Sequence, residues 1–172
     1  MIPVLYEGTE TAFTSNGLGR LSDAISCKVV EERNATYELE MTYPVSGIHF
    51  QDIQEGRIIL AQPHDGGLTE PFEIYRIEKP LSGMCLIRAE HISYRLNDIV
   101  EMPFTAGSIQ EVFSSIPSHS ATTNSFNFTT DIVSTTDYTL DVPTSVRGML
   151  GGESGSILDV YGKGDYEFSR WD

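Results

Sequence analysis

Four histidines, two cysteines and a late gathering of carboxylates are the side chains of this sequence with chemistry beyond packing. Metal-dependent hydrolysis needs imidazoles or thiolates at helical or hairpin spacing, as in His-Glu-x-x-His, so that two ligands meet on one face. His49, His64, His91 and His119 stand far apart and none has such a partner. They read as structural residues, and no metal centre is expected. Gly152-Glu153-Ser154-Gly155-Ser156 begins like a nucleophile elbow, but Ser156 stands where the closing glycine belongs and no histidine follows residue 119 to act as base. The same run lacks the Lys-Ser/Thr that closes a phosphate loop, and Glu153 would repel a phosphate. Helix punctuation accounts for it better. Gly17-Leu18-Gly19 opens no helix after a strand and reads as a loop needing positive φ.

Glu153, Asp159, Asp165, Glu167 and Asp172 would be needed for a glycosidase-type carboxylate pair or an oxygen-rich cation site. No Asp-x-Asp-x-Asp-Gly spacing organises them, so they read as a solvated acidic face with Asp159 as a capping partner. Tyr37, Tyr43, Tyr75 and Tyr94 have the ring type of a sugar groove, but their strand positions favour core or interface packing. Cys27 and Cys85 lie in apolar strand-like stretches and are expected to be reduced core residues, because two such cysteines make no disulfide framework. Asn34 and Asn127 begin glycosylation-type triplets, a chance match where no secretory leader is read before them. No catalytic, cofactor-binding or metal-ligating residue is assigned.

Charge narrows the partners. The 172 residues carry 11 Lys plus Arg against 25 Asp plus Glu, a net charge of −14. The deficit is even, −7 in residues 1–100 and −7 in 101–172, so neither part hides a basic module. Clustered cations that would displace counterions from phosphates are missing, which argues against sequence-reading of DNA or RNA and against an anionic membrane surface. Nor does any apolar stretch approach the roughly 18 residues that span a bilayer. The chain reads as a soluble protein made in a cytosol. With 40% apolar residues it has the material for a core without metal or disulfide support.

The elements that must position these groups are mostly strands. Tyr37, Leu39, Met41 and Tyr43 alternate with Glu38, Glu40 and Thr42, a period of two that puts four large side chains on one face. Ile25, Cys27 and Val29 alternate upstream, and Glu32-Arg33-Asn34-Ala35 joins the two as a hairpin in which Asn34 takes positive φ. Further strands are expected at Arg57–Ala61, Phe72–Ile77 and Met84–Ile92, separated by Gly- and Pro-rich turns, and Ile2–Tyr6 is placed to cover an edge. Near residue 98 the text changes. Ser108-Ile109-Gln110-Glu111 is a capping box, followed by an apolar stripe of Ile109, Val112, Phe113 and Ile116 that Pro117 is expected to end. Residues 114–139 hold 13 Ser or Thr and only two charges, a composition for strands and loops. Short helices are expected at Ser145–Leu150 and after the Ser156 cap, with Gly151 and Gly162 as stops, and a final strand from Asp165.

The run Tyr37–Pro63, the segments Phe72–Pro80 and Ala89–Leu96, and Arg147-Gly-Met-Leu-Gly-Gly-Glu-Ser-Gly-Ser-Ile-Leu-Asp-Val-Tyr161-Gly162 together resemble the N-terminal region of minor structural proteins of siphophages and prophages of Gram-positive bacteria. These are the tail hub or tail-associated proteins of the prophage tail endopeptidase family. The last segment is similar to the family's signature, departing over Tyr161-Gly162-Lys163-Gly164-Asp165-Tyr166-Glu167-Phe168, where the usual form runs Gly-Gly-Glu directly.

The resemblance implies a mainly β fold with a few short helices, of the kind found in the hub of contractile tails: a β-barrel-like domain over 1–97 and a second β domain with inserted helices over 98–172, incomplete at its C-terminus. It implies a virion structural protein of the tail tip or baseplate, not itself an enzyme, made in the host cytoplasm. The implied partners are two further copies in a trimeric ring, the distal tail protein, the tape-measure protein and other baseplate components. DNA would pass transiently without specific binding, and acidic residues lining such a ring would keep phosphates from sticking. Family members run on past the signature, so the chain reads as part of a longer protein, with any peptidase in the remainder. A peptidoglycan-directed hydrolase or endopeptidase with a dispersed site, and a carbohydrate-binding baseplate module, are the competing readings.

Overall fold

The period-two run that begins at Tyr37 folds into the most regular strand of the molecule: Tyr37, Leu39, Met41 and Tyr43 are buried and the residues between them are not. The computed structural model describes residues 1–78 and 83–162. These fall into two compact units that divide at Ile92/Ser93, inside a 3-10 turn over Ile92–Asn97, where the change of text places the boundary at 98. The chain is mainly β, with a few short helices.

The first unit contains β1 (Val4–Tyr6), β2 (Gly19–Arg20), β3 (Ser26–Glu31), β4 (Tyr37–Pro44), β5 (Ile58–Ala61), β6 (Glu70–Glu78) and β7 (Met84–His91). They form one antiparallel sheet in the order β2-β1-β5-β6-β7-β4-β3, curled as a half-barrel. β1 pairs with β5 and covers that edge as expected, with β2 outside it. Asn34 turns the β3–β4 hairpin at φ 55°. The concave face is apolar: Leu39 and Met41 of β4, Ile74 of β6 and Ile87 and Ala89 of β7 are each at most 1% exposed. β5 is buried along its whole length, as a strand covered on both faces must be. A bulge between Ile74 and Arg76 shifts the β6–β7 register and leaves Tyr75 exposed.

Two expectations for this unit need correction. Ile25 continues the β3 alternation but is 65% exposed, and Cys27 is only half-buried. Periodicity tells which way a side chain points; among the described residues β3 is the outermost strand, where the inner face runs out of cover. Both cysteines are free thiols, and Cys85 is fully buried in β7.

The second unit has shorter elements: β8 (Val100–Glu101), β9 (Phe104–Ala106), α1 (Ile109–His119), β10 (Tyr138–Leu140), β11 (Thr144–Ser145), α2 (Val146–Leu150) and α3 (Ile157–Tyr161). β9 pairs with β10 and β8 with β11, each antiparallel. α1 buries Ile109, Val112 and Ile116 and begins at the expected box: Ser108 Oγ accepts from the Glu111 N–H, and Glu111 reaches back to the Gly107 N–H. Pro117 does not end it. The helix continues to His119, because a proline in the last turn deletes one backbone bond, and the Ser120 N–H still closes on the Ile116 carbonyl. Ser145 and Ser156 cap α2 and α3, and Gly162 ends α3 in the left-handed region. Residues 121–137 form no helix or strand, and the strand expected from Asp165 lies outside the described residues.

Candidate functional site

The histidines do not converge. His49 Nδ1 lies 3.0 Å from Asp52 in its own turn, His64 stands 4.0 Å from Glu31 at the surface, and His119 stacks on Phe104 in the last turn of α1. His91 is buried in β7, stacked on Tyr37 with centroids 4.5 Å apart, and its Nε2 lies 3.5 Å from the buried Glu70 of β6. Sequence reasoning missed that acid–imidazole pair, since 21 positions separate its members and only the β6–β7 pairing joins them. Among the described residues, no group of three or more His, Cys, Asp or Glu is placed to hold a metal ion.

The Gly152–Ser156 run serves as punctuation. Ser156 Oγ accepts from the Asp159 N–H, Asp159 accepts from the Gly155 N–H, and Glu153 accepts from the Thr144 hydroxyl. Ser154 is exposed. Of the acidic set, Glu153 and Asp159 are thus engaged in local caps, while Asp165, Glu167 and Asp172 lie outside the described residues. The tyrosines form no shared groove either. Tyr37 and Tyr43 are core, Tyr75 is exposed and donates to Glu38, and Tyr94 in the second unit lies under the Arg147 guanidinium at 4.1 Å.

What the first unit does build is an apolar corner beside β3, the outermost strand among the described residues. Asp23, which nothing in the sequence singles out, accepts from the Ile48 N–H at 2.9 Å and from the Tyr43 hydroxyl at 3.3 Å. Tyr43 in turn accepts from the His49 N–H, and burial is the main cause that raises its hydroxyl pKa. Gly47 must be glycine for space: a Cβ there would lie 2.4 Å from the Tyr43 ring. Gly19 meets the His49 ring in the same way, at φ 152°. Loop 45–52 is therefore fastened from beneath at Ile48 and His49. Its tip holds Ile48 81% exposed, beside a β3 entry where Ile25 is also bare.

The outer face of the sheet is polar. Across β4, β7 and β6, Glu40, Arg88 and Glu78 form a ladder of ion pairs at 3.1 and 3.5 Å, with Arg76 joining Glu78 at 3.1 Å. Such exposed pairs fix a surface more than they stabilise it. Among the described residues, neither the exposed isoleucines nor the ion-pair ladder brings reactive groups together.

No family model and no curated protein matches the sequence. Among solved structures, the chain is similar to the prophage tail protein gp18 from Listeria monocytogenes EGD-e, with a TM-score of 0.50 and 16% identity over 67% of this chain and 33% of that one. The chain therefore spans about a third of the length of that structure. At this identity the likeness is one of fold.

Proposed function

We propose that this chain is a structural component of a phage or prophage tail, and within it a hub protein of the tail tip. The observation that carries the reading is the fold it shares with a prophage tail protein over 67% of its length. The Tyr37–Pro63 and Arg147–Gly162 segments, which resemble hub proteins, point the same way. In this role the chain associates with two further copies as a ring, docks to the distal tail protein and the end of the tube, and meets the tape-measure protein and other baseplate components. The apolar corner at Ile25 and Ile48 supplies one surface suited to such docking. Net charge −14 on each copy suits a ring through which DNA moves without binding. Catalysis, if the tip carries any, belongs to other parts of the protein or to other chains.

Immunogold labelling of tail particles with antibody to this chain tests the proposal. Gold at the distal tip supports it, and particles whose tips stay unlabelled while the chain is found free overturn it. The native mass of the purified chain across concentrations tests the ring, for which a trimer is expected. Degradation of purified cell wall by the chain alone would favour a hydrolase instead.

A further inference from the structure

Among the described residues, Glu101 of β8 is the buried carboxylate of the second unit, at 0% exposure. Its Oε2 accepts one hydrogen bond, from Ser120 Oγ at 2.9 Å, while Oε1 has none. It meets the leading end of the Ser/Thr-rich segment 121–137. At the leading end, Ser120 bridges to Glu101 across the backbone, the Ala121 N–H donates to the Val100 carbonyl, and Asn124 donates to Ser120 Oγ at 3.2 Å. At the trailing end stands Tyr138 of β10, 1% exposed, its hydroxyl also without a partner. The segment between has no buried residue and no regular element; the Ile132 and Ser134 carbonyls accept from Gln110 and Ile109 of α1 and the Thr136 carbonyl from Tyr161, so its leading part, 121–127, is what opens at little cost compared with unfolding the unit.

We propose that Glu101 is a proton-operated pin for this strap: neutral, it stays buried and the leading end of the segment stays docked on β8; ionised, it favours release of that end and access of water. The groups around it are consistent with that sign. Burial is the largest influence on its pKa and raises it; the Ser120 hydrogen bond and His119 of α1 act the other way without reversing the shift. Tyr138 is pushed up to about 12 by burial, then by Tyr161 of α3 and by Glu101 itself. The cross-strand neighbour on β11, Thr144, gives its hydroxyl to Glu153, not to Glu101. With the folded pKa above the usual 4.5, the closed state gains below that value and loses as pH rises through the raised one.

The test is hydrogen exchange of the Ala121 amide, which donates to Val100 of β8, in the full chain between pH 4 and pH 7.5, corrected for intrinsic rates, for the wild type and Glu101→Gln. In the wild type, protection should fall as pH rises, by about tenfold for each unit by which the carboxyl is raised. In Glu101→Gln the same amide should show no such fall. Equal pH profiles in the two proteins overturn the proposal. A carbon NMR titration of the Glu101 carboxyl in the wild type decides independently of whether the variant folds: a midpoint above 4.5 supports the pin, and one at or below it overturns it.

Discussion

The first unit satisfies its backbone with strands of up to nine residues, each paired along its length, whereas the second relies on ladders of two or three residue pairs and on helices of 5 and 11 residues. Short elements leave a larger share of N–H groups at their ends. In the second unit, hydroxyls fill that gap: Ser108, Ser145 and Ser156 each accept from a backbone N–H in the first turn of a helix. The Ser/Thr-rich text after residue 100 thus supplies caps and bridges that the sheet obtains from neighbouring strands. Both units bury apolar side chains, but one adds long-range strand pairing and the other local side-chain to backbone bonds.

Substitutions can break that contrast. Met41→Ala removes a fully buried side chain from the middle of the sheet and should destabilise the first unit by about 2–5 kcal/mol, read by urea unfolding. The open edge is tested by thiol labelling. Burial pushes Cys27 up to about 11 from 9.0, so alkylation at pH 8 should run about a hundredfold slower in the folded protein than in urea. A rate near the unfolded one would show the edge to be wet. Gly47→Ala forces a methyl group against the buried Tyr43 ring and should cost about 1–3 kcal/mol, with loss of protection at the Ile48 and His49 amides. Ser108→Ala removes the α1 cap and should cost about 1 kcal/mol by thermal melting. A loss much below that would mean that hydroxyl caps matter less to the second unit than the contrast holds. Glu40→Gln breaks an exposed pair with Arg88 and should change stability by under about 1 kcal/mol, the smallest effect of the five.

The elements that were legible in the sequence carry a period or a punctuation mark. β4 shows its alternation because one face is covered and the other solvated, and α1 shows both its box and its stripe. Ile25 misled because a pattern records orientation, while burial depends on what lies beyond the edge. Two-residue strands such as β8 carry no period at all, so nothing marked Glu101 as an interior residue before the fold enclosed it. The Glu70–His91 pair and the Asp23 anchor were hidden for a related reason: each joins residues that only tertiary pairing brings together. The absence of spaced ligand or nucleophile motifs was plain in the sequence, whereas the apolar corner at Ile48 depends on Gly47 and Tyr43 meeting in space.

The place of β7 within the sheet has a consequence for how the protein is made. On one side of it lies the β3–β4 hairpin, on the other β6 with β5, β1 and β2, and β7 alone is hydrogen-bonded to both groups. Among the described residues it is also the last strand of its unit to leave the ribosome. Until residue 91 has emerged, the nascent chain holds two half-sheets with unpaired inner edges, of the kind that pair wrongly with other chains and that chaperones shield. Synthesis that pauses before β7 should therefore aggregate, and synthesis that pauses after it should not.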